Sequence, residues 1–228
     1  MNSELINQFV IGVFLREEKN RFLCTVSING ADTLCYIPSS CRFENFIDLP
    51  GRQVLLKPIS NPSSRTKYMV CAVEHKQSFI LLNTGYANST IASNLSSRRF
   101  SFLGERKVFR KEYKIGDYKA DLFIPDSHSL IEIKSVISTD KSAIFPTVFS
   151  ERANVQLTKI LALIKDGYKA YYFLVALNPY VKDITISNDN PYNSLFKSCL
   201  DAGMLCRGYS LRISDQGVLI DSEIKIIL

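Results

Sequence analysis

Apolar residues in the first third of the chain come in short runs broken by turn formers: QFVIGVFL, RFLCTVSI, DTLCYIP, RQVLLKPI, KYMVCAVE and SFILLN, punctuated by Asn29-Gly30, Pro50-Gly51 and an NPSS stretch at 61–64. Runs of this length and composition predict strands, and Asn-Gly predicts a tight hairpin turn. From about Asn88 the rhythm changes. NSTIASNLSS reads as a capped short helix or connector, and YKADLFI, a turn at PDSHS, and LIEIKSV read as an antiparallel hairpin. ERANVQLTKILALIKDG then places Val155, Ile160, Leu161 and Ile164 at helical spacing before an Asp166-Gly167 stop. YKAYYFLVAL is a nearly unbroken apolar run, the pattern of a strand buried on both faces. NPYNSLFKSCLDAGM predicts another helix with Leu195, Phe196 and Leu200 on its apolar face, and CRGYSLRISDQGVLIDSEIKIIL predicts short closing strands.

These two textures divide the chain. Residues 1–84 predict a small β-barrel, either of the five-stranded oligonucleotide-binding (OB) type or another small β fold, and residues 85–228 predict a mixed α/β domain. A length of 228 residues with 46% hydrophobic content is enough for a real core and excludes wholesale disorder. The six cysteines form no C-x-x-C pair and only two histidines are present, which argues against a zinc site or a disulfide framework. No basic segment precedes the first apolar stretch, and charge interrupts that stretch after Leu15. Neither a signal peptide nor a membrane span is predicted, and a cytoplasmic protein is expected.

The formal net charge of +6 suits a polyanionic partner. The densest basic stretch, RRFSFLGERKVFRKEYK, interleaves Arg98, Arg99, Arg106, Lys107, Arg110, Lys111 and Lys114 with Phe100, Phe102, Phe109 and Tyr113. Such residues grip phosphates and stack bases, although the solvated side of a strand gives the same pattern.

Glu132 and Lys134 interrupt the apolar run LIEIKSV. In a strand, Ile131 and Ile133 point one way while the two charges share the other face. A solvated ion pair is the plain explanation, and Glu17/Lys19, Glu74/Lys76, Glu105/Lys107, Glu112/Lys114 and Glu223/Lys225 repeat the spacing. Only Glu132/Lys134 has an aspartate, Asp121, on a preceding apolar strand and a helix after it. Across a hairpin turn, Asp121 and Glu132 fall on adjacent strands, where two close carboxylates favour a hard cation between them. Lys134 reaches the same place and could stabilise charge on a reacting phosphate. An aspartate, a short gap and Glu-x-Lys on a hairpin followed by a helix resembles the restriction-endonuclease-like PD-(D/E)xK nucleases.

A more specific resemblance rests on FLREEKNRF, PGRQVLLK, RKEYKIGDYKADLFI, LIEIKSV, AIFP and SERANVQL in that order, which together resemble the sugar fermentation stimulation protein (SfsA) family over nearly the whole chain. The resemblance implies an OB-like barrel joined to a restriction-endonuclease-like α/β domain that acts on DNA or RNA. It implies Asp121, Glu132 and Lys134 as the catalytic set, Asp121, Glu132 and Glu112 as ligands of Mg2+ or Mn2+, and Glu151-Arg152 as the opening of the family's helix. Arg21, Arg42, Arg98, Arg99, Arg106, Arg110, Arg152 and Gln156 are the expected nucleic-acid contacts. Several positions depart from the family pattern: Thr147 stands where an acidic residue is expected, Lys119-Ala120 replaces Ser-Arg, Gln156 replaces a histidine, and YIPSSCR lacks a histidine and a glycine.

The sequence therefore predicts a metal-dependent DNA or RNA nuclease, a hydrolase with no membrane partner, for which a homodimer is compatible. The alternatives are a non-catalytic DNA-binding regulator that keeps the nuclease fold, and a protein-interaction module.

Overall fold

The structure, a computed structural model, describes residues 9–38, 42–148, 150–188 and 191–228. Six strands form the first sheet: β1 (Val10–Glu17), β2 (Leu23–Ile28), β3 (Ala31–Tyr36), β4 (Gln53–Pro58), β5 (Tyr68–His75) and β6 (Ser78–Leu81). Their order is β3-β2-β1-β4-β5-β6, and a parallel pairing of Tyr36 with Met69 brings β3 back to β5, closing β1–β5 into the OB barrel. Asn29 and Gly30 both adopt positive φ, 52° and 81°, as the tight β2–β3 turn requires. At Gly12 of β1 a Cβ would lie 2.5 Å from Val26, so only a bare Cα fits that approach. Each apolar run of the first third falls on an observed strand; Gln8, at the start of the first run, and Ser39, Ser40 and Cys41 lie outside the described residues.

Eight strands build the second sheet: β7 (Arg110–Ile115), β8 (Tyr118–Ile124), β9 (Ser129–Val136), β10 (Ser142–Phe145), β11 (Lys169–Ala176), β12 (Asp183–Ile186), β13 (Leu205–Ser214) and β14 (Gly217–Ile227). Their order is β10-β12-β14-β13-β11-β9-β8-β7. Helices α1 (Gly85–Asn94), α2 (Glu151–Lys165) and α3 (Tyr192–Asp201) flank it. Ser150 caps α2 by accepting from the Ala153 N–H at 3.3 Å. Because α2 and α3 lie in the crossovers, β9, β11 and β13 run parallel. β11 is buried from Ala170 to Ala176, as its apolar run predicts.

Period-two alternation sorts this sheet into two faces. Ile131, Ile133, Phe173 and Tyr209 face α1 and the barrel. Leu130, Tyr172 and Leu174 face Leu157 and Ile160 of α2 and Phe196 and Cys199 of α3. The first cluster is continuous across the chain's two sheets, since Phe14, Val54 and Leu81 of the barrel join it together with Phe173, Tyr209 and Leu211. A backbone bond crosses the same boundary, the Leu81 N–H donating to the Leu177 carbonyl at 2.8 Å.

Two expectations are corrected. Leu157 and Ile160 form the buried stripe of α2, whereas Val155 is 47% exposed, because two residues separate it from Leu157 by about 200° around the helix. The C-terminal segment forms one long antiparallel hairpin, β13 and β14 of 10 and 11 residues, rather than several short strands. Asp215-Gln216 is the single turn within it, and Gly217, at φ 111°, opens β14. Among the described residues no helix is long and apolar enough to cross a membrane.

Candidate active site

β8 and β9 are paired next to their turn, through Leu122–Ile131, Phe123–Leu130 and Ile124–Ser129. Beyond that they part. Tyr118 and Ala120 stay paired with Ile115 and Tyr113 of β7, while Glu132 to Val136 stay paired with Tyr172 to Ala176 of β11. The register carried one position further sets Asp121 across from Glu132, where this fork opens. There the Ile133 N–H faces the opening rather than a ladder carbonyl, and Asp121 Oδ2 accepts from it at 2.8 Å. The other oxygen, Oδ1, accepts from Asn88 Nδ2 of α1 at 2.9 Å.

Glu132 and Lys134 share a face as the alternation of β9 requires, but that face is covered by α2 and not by water. Glu132 is 2% exposed. Lys134 Nζ donates to Glu132 Oε1 and to Gln156 Oε1 of α2, each at 2.6 Å. The Tyr118 hydroxyl donates to Glu132 Oε2. Burial first, and the nearby Glu132 charge second, push the Asp121 carboxyl up to about 6, against the opposing pull of the Ile133 N–H, Lys134 and Asn88. Burial and the same carboxylate push the Tyr118 phenol well above its ordinary range, so it remains a proton donor to Glu132.

Each carboxylate oxygen keeps a second lone pair beside the bond it accepts. Asp121 and Glu132 thus present hard oxygen donors suited to a divalent cation that retains part of its water shell. Among the described residues no third acidic, histidine or cysteine side chain joins them in a ligating cluster. A groove of about 610 Å³ opens in front, walled by Phe46 of the barrel, Asn88, Lys134, Thr147, Arg152 and Gln156. The two carboxylates lie behind Asn88, Lys134 and Gln156, the side chains that bond them or their partner.

Of the other expected site residues, Glu112 is not brought to the pair. It takes positive φ (49°), is exposed, and pairs with Lys119 at 3.0 Å, so the irregular backbone of β7 at this position turns it to solvent. Arg106 is spoken for: its guanidinium donates to the carbonyls of Leu95, Ser96, Ser97 and Gly104 and ties off the chain after α1. Arg42 donates to the carbonyls of Glu18 and Lys19 within the barrel. Arg21 lies over the Phe22 ring at 4.9 Å and Arg110 over Tyr113 at 5.1 Å. Arg98, Arg99 and Arg152 are exposed, and only Arg152 and Gln156 of the expected nucleic-acid contacts line the groove.

The interleaved aromatics behave differently from a stacking surface: Phe100 is fully buried, Phe102 and Phe109 pack against the core, and Tyr113 stacks on Phe123 at 4.6 Å. Asn88 and Tyr118, which hold the carboxylates, were not among the expected site residues. Tyr118 stands three positions before Asp121 in the same strand, a signal that was available; Asn88 comes from a helix with no mark in its sequence.

Family models account for most of the chain. One described as "SfsA N-terminal OB domain" matches residues 17–82, and one described as "Sugar fermentation stimulation protein RE domain" matches residues 85–217. Sugar fermentation stimulation protein homologs from Pseudoalteromonas atlantica and Carboxydothermus hydrogenoformans are 25% and 28% identical, the first over 99% of this chain and 100% of its own, the second over 92% and 93%. Among solved structures, "The structure of Pyrococcus Furiosus SfsA in complex with Ca2+" superposes with a TM-score of 0.83 over 96% of each chain at 20% identity, which establishes a shared fold. With both halves matched in order, the chain belongs to the sugar fermentation stimulation protein family.

Proposed function

We propose that this protein is a nuclease of the PD-(D/E)xK type, using Mg2+ or Mn2+ to hydrolyse phosphodiester bonds in DNA or RNA. The observation that carries the reading is the fork between β8 and β9, where Asp121 and Glu132 lie across from each other just behind a groove whose wall includes Lys134, bonded to Glu132. A divalent cation bound by Asp121 and Glu132 would supply a more acidic water and polarise a phosphoryl oxygen. Tyr118 and Asn88 hold the two carboxylates in place, and Gln156 holds the Lys134 ammonium at the groove wall. From there Lys134 offsets the negative charge that grows on a phosphate under attack, while Arg152 at the rim binds a neighbouring phosphate. The OB barrel, a fold whose open face commonly takes oligonucleotides, supports the same substrate class. The Pyrococcus furiosus relative, described as a complex with Ca2+, an ion that takes oxygen ligands, supports the hard-cation part of the reading.

Incubating the purified protein with labelled single- and double-stranded DNA and RNA in Mg2+, Mn2+ or EDTA tests this directly. Cleavage is expected with either metal, none in EDTA, and none by Asp121→Asn. Binding without cleavage in every condition would replace the nuclease by the non-catalytic regulator.

A further inference from the structure

A second pocket, of about 430 Å³, lies at the free edge of the large sheet and shares no residue with the groove. Pairing of Arg110 with Phe123 across β7 and β8 builds one side. Tyr113 stacks on Phe123 with ring centroids 4.6 Å apart and planes 8° from parallel, and the Arg110 guanidinium lies over Tyr113. The other side comes from distant chain: Tyr168, just past α2, stands 6.4 Å from Phe123, and His128 stands 6.0 Å from Tyr168. His128 takes left-handed backbone (φ 46°) at the end of the β8–β9 turn, and its ring is exposed. Arg110 and Lys114 bring two basic side chains, and no carboxylate lines the pocket.

Aromatic faces beside two cations, with no carboxylate in the lining, match a ligand that is itself flat and carries negative charge next to its ring. In a duplex the base faces are covered by their neighbours, whereas an unpaired strand can offer them. Phe123 follows Asp121 by two residues on β8, about 7 Å of strand, so the pocket belongs to the same working edge as the carboxylates. We infer that this pocket takes an unpaired nucleotide of the substrate strand, its base against Tyr168 and His128 and its phosphate against Arg110 and Lys114. The inference rests on the nucleic-acid reading above and narrows its substrate class to strands with a single-stranded portion.

Fluorescence anisotropy in EDTA, with a labelled single-stranded oligonucleotide and the matching blunt duplex, tests it on the full chain. Wild type is expected to bind the single strand more tightly. Tyr168→Ala is expected to weaken single-strand binding about 10-fold, the scale of losing one base stack, with duplex binding unchanged. His128→Asn, which removes the ring but tolerates the left-handed backbone, gives the same direction should Tyr168→Ala fail to fold. Equal single-strand affinity for wild type and variants overturns the pocket and leaves the nuclease reading standing. Equal losses for single strand and duplex overturn it too, because a stacking subsite discriminates between them. Absence of oligonucleotide binding and cleavage in wild type overturns both readings together.

Discussion

Glu-Ile-Lys occurs twice in this chain, at 132–134 in β9 and at 223–225 in β14. Both isoleucines are equally buried, Ile133 and Ile224 each being 6% exposed. The charges meet opposite fates. In β9 the isoleucine faces the barrel side of the sheet, which turns Glu132 and Lys134 toward α2, where Gln156 and Tyr118 receive them. In β14 the isoleucine faces the α2–α3 side, which turns Glu223 and Lys225 outward, and Glu223 pairs with Arg207 at the surface at 2.5 Å. A one-residue change of parity relative to the layers exchanges core face for solvent face. The same three letters therefore make a buried charged cluster or a surface ion pair, and the difference lies in what covers the strand.

The largest expected difference between the two tripeptides is catalytic. Lys134→Ala is expected to lower single-turnover cleavage by roughly 100-fold or more while leaving oligonucleotide binding in place, and Lys225→Ala should leave both unchanged. Equal rates for Lys134→Ala and wild type would erase the distinction. A smaller effect sharpens it through pH. An aspartic carboxyl raised to about 6 in the folded chain, against 3.8 ordinarily, favours folding below pH 3.8, and that contribution is lost as the pH rises through about 6. The ionised Asp121 that results is strained by Glu132, and a cation relieves it. Calorimetric Mn2+ affinity should therefore fall about 10-fold per pH unit below 6, as the proton competes for Asp121; a flat profile between pH 7 and 5 would place the metal elsewhere. The smallest effect is structural. Tyr118→Phe removes the donor to a buried carboxylate and should cost about 1–2 kcal/mol in urea unfolding, whereas Glu223→Ala, which breaks an exposed pair, should cost about 0–0.5 kcal/mol. Matching losses would mean that burial of Glu132 carries no energetic weight.

Period and turn chemistry made the architecture readable. The six apolar runs became the six barrel-sheet strands, Asn29-Gly30 the predicted turn, and the β8–β9 hairpin brought Asp121 opposite Glu132. These features depend on local alternation, which a linear sequence displays directly. Contacts between remote elements are written nowhere locally. Asn88 reaches Asp121 from 33 residues away, and Gln156 reaches Lys134 from 22. The basic aromatic segment shows the opposite failure: residue type pointed to a ligand surface, while a 3-10 turn from Arg98 to Leu103 buries Phe100 and Leu103, and Arg106 satisfies backbone carbonyls. Aromatic side chains near arginines serve packing and recognition equally well, and only the layer they face separates the two.

The apolar cluster that runs from Phe14 and Leu81 to Phe173 and Tyr209 has a consequence for how the chain can be divided. A cut between residues 82 and 85, where the two family matches meet, passes through shared interior and not through a tether. Each fragment would expose an oily scar where its neighbour had been, and the Leu81–Leu177 backbone bond would lose a partner on each side. The barrel is thus less a detachable accessory than part of the foundation on which the fork between β8 and β9 is set. Melting should proceed as a single cooperative event, and exchange of one half for that of a distant relative must carry the matching half of the interior with it.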